Sequence, residues 1–167
     1  MYQIEIPIKP HLKKFIAHYV NIKPYVLSRK EPFGSTIYHE LSYPFTDNAN
    51  WYENLQEVKK KYRDSFMVQI SYNTYHNHKS ANNLTQRAAV AINSYVGALF
   101  RFHWHFYADT ILGIDPLFKQ KDLVKKFMDK YNIDPDDFDS DSLLRDYRRY
   151  KERNTKKSGH SLNEFVR

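Results

Sequence analysis

Seven basic side chains fall between residues 144 and 157: Arg145, Arg148, Arg149, Lys151, Arg153, Lys156 and Lys157. They are set against only Asp146 and Glu152. On a helical wheel Leu143, Tyr147 and Tyr150 lie within roughly 60° of one another, while Arg145, Arg148, Arg149 and Glu152 occupy the opposite side. A helix docked by its apolar side would therefore present a row of guanidinium groups, whose planar forks match phosphate oxygens and guanine edges. Lys156 and Lys157 extend the row. The same order also has a purely structural reading. Aspartates suit a helix N-terminus and cations its C-terminus, Asp139 or Asp141 would serve as a cap, and each exposed arginine could pair with Asp134–Asp137 at a gain of about 0–1 kcal/mol. A solvated or protein-binding face thus stands beside nucleic-acid contact, which is the favoured reading.

A second basic segment strengthens the polyanion reading. Residues 9–30 carry Lys9, Lys13, Lys14, Lys23, Arg29 and Lys30 with no acid, and the whole chain has 26 basic against 19 acidic side chains, a formal charge of +7. Such an excess raises the local potential for polyanions and speeds their association. Lys9, Lys13 and Lys14 are candidates for a second contact. The expected partner is nucleic acid, DNA before RNA, with phage or host proteins and self-association also open.

Other constellations suggest catalysis less well. His103-Trp104-His105 has the His–hydrophobic–His form with which rolling-circle nucleases bind a divalent metal beside a tyrosine nucleophile, and Tyr147 and Tyr150 lie downstream. Phe100, Phe102, Trp104 and Phe106 alternate with Arg101, His103, His105 and Tyr107, as a strand requires. The motif nevertheless continues a helical pattern, and on a helix i and i+2 point about 200° apart. His76-Asn77-His78 reads as a polar loop. His11 and His18 read as part of a basic solvent face, and His39-Glu40 as a lone pair. Asp134–Asp141 lacks the glycine and terminal glutamate of a calcium loop. No phosphate-binding glycine loop, Gly-x-Ser-x-Gly or His-Glu-x-x-His occurs. The expectation is a protein that is not an enzyme, with no cofactor and no metal site.

Cysteine is absent, which excludes disulfides, thiolate zinc sites and cysteine nucleophiles. No apolar run approaches the ~20 residues of a membrane span. Met1–Lys9 lacks the pattern of a secretory signal. The expected setting is bacterial cytoplasm or the inside of a phage particle, with no membrane partner.

The elements that must position these groups follow from periodicity. Tyr2–Ile8 alternates as a half-buried strand, restricted by Pro7 to an edge. Pro10 opens a helix through residue 20 or so, with Leu12, Phe15, Ile16 and Tyr19 on one face. Tyr25–Ser28 suggests a short strand, residues 34–41 a helix with Ile37 and Leu41 inward, and Pro44–Asn50 a loop. Trp51, Leu55, Val58 and Tyr62 have helical spacing. Residues 66–73 form the best strand, followed by a polar connection at Tyr75–Ser80. A long helix over about 83–112, capped by Asn82 or Asn83, is expected to bury Leu84, Ala88, Ile92, Tyr95, Leu99, Phe102 and Phe106 and to end at Gly113 and Pro116. Lys121–Tyr131 and Ser140–Asn154 are predicted as two further helices around the turn Ile133–Asp139. The fold class is α+β: a small β-sheet packed on a long central helix, with a helical C-terminal helix-turn-helix-like unit. The expected division is a core at 1–115, that unit at 116–154 and a tail at 155–167.

The segment from Leu123 to Lys151, with its Tyr-Asn-Ile-Asp-Pro-Asp-Asp-Phe turn and Leu-Leu-Arg-Asp-Tyr-Arg-Arg-Tyr-Lys helix, resembles the C-terminal end of small uncharacterised proteins of Bacteroidetes phages and mobile elements. The Ile-Pro-Ile-Lys-Pro-His-Leu-Lys-Lys-Phe opening is similar to their N-terminal part. The resemblance implies a setting more than a mechanism. Together with the basic helix it leads to an expectation of non-enzymatic DNA binding in replication, transcription control or packaging. A protein-interaction or virion assembly role and a metal-dependent nuclease are the alternatives.

Overall fold

A computed structural model describes residues 1–42, 51–77 and 84–161, with backbone alone described at 51–54, 74, 77 and 156–161. The expected α+β class is what the chain adopts. Strands β1 (Tyr2–Ile8), β2 (Tyr25–Val26) and β3 (Asp64–Ile70) form a three-stranded sheet in the order β1-β3-β2. β1 runs antiparallel to β3, pairing Ile4 with Val68 and Ile6 with Phe66, and β2 joins β3 in parallel. Pro7 therefore sits on an edge strand, where a missing N–H is tolerated. The alternation in both long strands sends Ile4, Ile6, Ile8, Phe66, Val68 and Ile70 into the core.

Helices α1 (Pro10–Ala17), α2 (Pro32–Ser42) and α3 (Trp51–Tyr62) surround the sheet in sequence. Pro10 occupies the first turn of α1, where its fixed φ favours the helix. Leu12, Phe15 and Ile16 are buried as expected, whereas Tyr19 lies beyond the helix and is exposed. His11 is buried against Phe100, their ring centroids 5.4 Å apart, and so does not belong to a basic solvent face. In α2, Gly34 packs so closely on the chain before it that a Cβ would strike the Ser28 carbonyl and the Tyr25 hydroxyl. Ile37 and Leu41 point inward.

β3 stops at Ile70, not at residue 73, and Tyr72–Asn77 forms a short helix, α4, where a strand end and a polar connection were expected. The reason is aromatic. The turn lays the Tyr75 ring flat on Tyr2 at 3.5 Å between centroids, covering the start of β1. The expected loop at Pro44–Asn50, His78, and the caps Asn82 and Asn83 lie outside the described residues.

Helix α5 (Gln86–Ile114) is the long helix. Its first turn is capped by Thr85, whose hydroxyl accepts from the Ala88 N–H at 3.1 Å. Its buried stripe is Ala88, Ala89, Ile92, Val96, Phe100, Trp104 and Ala108. Phe102 and Phe106, expected in the core, are 65% and 68% exposed. Aromatic residues occupy both sides of the helix here, so periodicity alone could not choose between the two stripes. Asn93 is the buried polar group of this stripe. Its amide donates to the Pro7 and Ala89 carbonyls, both at 2.8 Å, and accepts from the Lys9 N–H at 3.1 Å, joining α5 to the β1–α1 corner.

Two compact units result, residues 1–100 and 101–167, divided within α5. The second contains the end of α5 with α6 (Gln120–Lys130) and α7 (Ser140–Ser161). α7 continues past the expected end at Asn154 to Ser161, so the expected tail is helical in its first half. Residues 162–167 are outside the described set. No described helix is long and apolar enough to cross a membrane.

Candidate nucleic-acid interface

The second unit is built around Trp104, whose indole is fully buried. Its ring packs on Phe127 of α6 and on Tyr147 of α7, and its Nε1–H donates to the Leu143 carbonyl at 3.0 Å. Leu123, Val124, Phe127 and Met128 of α6 are buried as their spacing required, and Leu143 and Tyr147 meet them from α7. The apolar side of the arginine helix thus faces α5 as well as α6.

The link between α6 and α7 covers residues 131–139, longer than the three- or four-residue turn of DNA-reading helix-turn-helix motifs. Its second residue, Asn132, is in the left-handed region at φ 52°. The Ile133 N–H returns to the Met128 carbonyl at 3.0 Å and the Asn132 N–H to that of Asp129 at 3.1 Å. This pair of bonds closes the end of α6, and Ile133 and Met128, the two positions whose apolar side chains often accompany such a stop, are both buried. α7 then starts on Asp139, which accepts from the Asp141 N–H at 3.0 Å and the Ser142 hydroxyl at 2.8 Å. Those bonds hold its carboxyl below the usual carboxylate range. Asp139, not Asp141, is the cap.

The arginines do not all stand alike. Arg145 reaches back to Asp139 at 3.0 Å and to the Ser142 hydroxyl at 2.9 Å, so its acid partner is the capping residue and not one of Asp134–Asp137. Arg148 and Arg149 are exposed and have no acid partner among the described residues. Arg153 is exposed and bonds through Nε to the Arg149 carbonyl at 3.2 Å. Arg145, Arg149 and Arg153 follow one another at i, i+4 and i+8, about 6 Å apart along the axis. The side chains of Lys156 and Lys157 lie outside the described set.

Lys151 belongs to a different group. Asp109 of α5 accepts from the Tyr147 hydroxyl at 2.6 Å, the Tyr150 hydroxyl at 3.1 Å and the Lys151 ammonium at 3.1 Å. Burial alone would raise the Asp109 carboxyl, but these donors together outweigh it and lower its pKa. The Tyr147 hydroxyl is shifted the other way, upward, by burial and by its bond to Asp109. Beside them lies an open cleft of about 540 Å³ lined by Leu112, Gly113, Gln120, Arg148 and Glu152 as well as Asp109, Tyr147 and Lys151.

The strand reading of His103-Trp104-His105 is overturned, because all three lie in the middle of α5. The rings diverge, as i and i+2 on a helix must. His105 meets Asp146 at 2.6 Å and stacks on Tyr150 at 4.1 Å between centroids. His103 is half-buried, and burial followed by the charge of Lys130 lowers its pKa. The Tyr147 hydroxyl donates to Asp109 and not to either histidine of the motif. Among the described residues no three histidines or carboxylates gather as metal ligands.

In the first unit Lys9 is exposed at the start of α1, Lys14 is half-buried, and Lys13 makes an ion pair with Asp64 at 2.7 Å. The Trp104–Leu143 bond and the tyrosine pair on Asp109 had no sequence signal beyond residue type. Comparison with protein-family models, curated proteins and solved structures finds no match to this chain.

Proposed function

We propose that the chain is a non-enzymatic DNA-binding protein of a phage or mobile element, acting in replication, transcription control or packaging. The outer face of α7 makes phosphate contacts. The carrying observation is that Arg148 and Arg149 are exposed with no acid partner among the described residues, on a helix whose opposite side is fixed by Leu143 and Tyr147. Such a helix holds its guanidinium groups in register without spending them on internal pairs. Arg153 extends the face, and Arg145 joins it by exchanging Asp139 for a phosphate at little cost, since exposed pairs are weak. Lys151 is committed to Asp109 and has a lesser part. The exposed lysines of α6, Lys121 and Lys125 among them, add to the positive character of this unit.

Phosphate contact of this kind predicts binding to duplex DNA that weakens steeply with salt. Three neutralised phosphates give a slope of log K against log [salt] near about −2.7. Arg148→Glu with Arg149→Glu should abolish duplex binding at moderate salt and leave the helical spectrum unchanged. Unaltered binding by that variant would remove α7 as the interface. A complex with a protein partner that persists at high salt would favour the assembly role instead.

A further inference from the structure

The cleft bounded by the end of α5, the start of α6 and the middle of α7 holds about 540 Å³, inside the ~300–1,000 Å³ range of small-molecule sites. Its charges balance, with Arg148 and Lys151 set against Asp109 and Glu152. Lys151 and Asp109 already pair with each other. What remains is a guanidinium at Arg148 and a carboxylate at Glu152, one helical turn apart, together with the amide of Gln120. None of these three side chains has a hydrogen bond or ion pair with a described residue. Leu112 and Gly113 form the wall on the α5 side. A side chain at Gly113 would meet no atom within 4 Å, so the fold leaves this space to something else.

We infer that the cleft takes the base of an unpaired guanosine, Arg148 reading its O6 and N7 and Glu152 its N1–H and 2-amino group. The inference rests on the reading of α7 as a DNA-contacting helix, and it gives Arg148 to the base while Arg149 keeps to phosphate. Phosphate alone is a poor occupant, because the carboxylate beside the cation repels an anion. The ligand has to offer acceptors to one group and donors to the other. An arginine fork takes two acceptors side by side, and an ionised carboxylate only accepts. Among the four DNA bases guanine alone has two adjacent acceptors on one edge and two adjacent donors on the next. In a duplex the donor edge is held by cytosine, so only a single-stranded or extruded guanine presents both. Leu112 supplies an apolar surface for the face of the ring, and Gln120 offers its amide to the sugar.

Anisotropy of a short labelled oligothymidine strand carrying one central guanosine tests this on the full chain. Guanosine should tighten binding at least about tenfold over thymidine or adenosine at the same position, the worth of one good bidentate pair. Inosine, which lacks the 2-amino group, and 7-deazaguanosine, which lacks N7, should each lose most of that gain. Gly113→Leu puts a side chain into the cleft where it strikes no part of the fold, at a residue without a positive φ. It should abolish the guanine preference while duplex binding and circular dichroism stay unchanged. Glu152→Gln should abolish the preference too. Competition by deoxyguanosine monophosphate would make the free nucleotide the ligand, and competition by strands alone would make it single-stranded DNA; both bear out the guanine site. Equal affinity for guanosine and adenosine strands, or a preference that survives Gly113→Leu, would overturn the inference and leave the duplex reading intact. A guanine preference without duplex binding would do the reverse.

Discussion

The Nε1–H of Trp104 donates to the carbonyl of Leu143 at 3.0 Å, joining the middle of α5 to the first turn of α7. The donor is wholly buried, so it has no water to fall back on. Trp104→Phe keeps an aromatic ring but loses the donor, and should cost about 1–2 kcal/mol. Trp104→Ala also empties the space between Phe127 and Tyr147, and should cost about 3–5 kcal/mol. Urea denaturation of the full chain reads both values. Equal losses for the two variants would show that the hydrogen bond, not the ring, holds the unit.

Asp109 makes the stability of the second unit depend on acid. Its folded pKa is lowered by the Tyr147, Lys151 and Tyr150 donors, so its contribution is complete above the ordinary carboxylate value. It is lost as pH falls through the folded value, below about pH 4. The stability difference between the wild type and Asp109→Asn should therefore be greatest at neutral pH and shrink toward pH 3. A difference that stayed constant across that range would contradict the assignment.

Asn132 ends α6 with φ at 52°, a region that glycine enters freely and β-branched residues avoid. Asn132→Gly should leave the melting temperature nearly unchanged, whereas Asn132→Val should lose about 1–2 kcal/mol. Equal behaviour of the two variants would mean that α6 stops for another reason.

Much of this organisation was legible in the residues. The alternation of Tyr2–Ile8 and the edge position of Pro7 were both realised, because a period of two has no competing interpretation there. The apolar spacings of α6 and the first half of α7 fixed their inward faces. The long helix was less transparent. With Phe100, Phe102, Trp104 and Phe106 in succession, hydrophobicity marks every side, and only three-dimensional packing selects Phe100 and Trp104 for burial. The α4 turn was missed because it depends on Tyr75 meeting Tyr2 across 73 residues, a pairing no local pattern carries. At the interface, residue type identified the basic row, but not its internal differences. That Arg145 would turn to Asp139 and Lys151 to Asp109, leaving Arg148 and Arg149 unpaired among the described residues, depends on partners chosen by the fold.

The division within α5 has a practical side. Trp104, Ala108 and Asp109 lie upstream of the α6–α7 pair yet supply its centre. A fragment beginning at residue 116 would retain every arginine while discarding the scaffold that orients them, and it would collapse or aggregate. Truncation for expression or domain grafting has to start within the long helix, at residue 101 or earlier, and the shortest useful piece therefore begins in mid-helix, with no natural cap to stop it fraying.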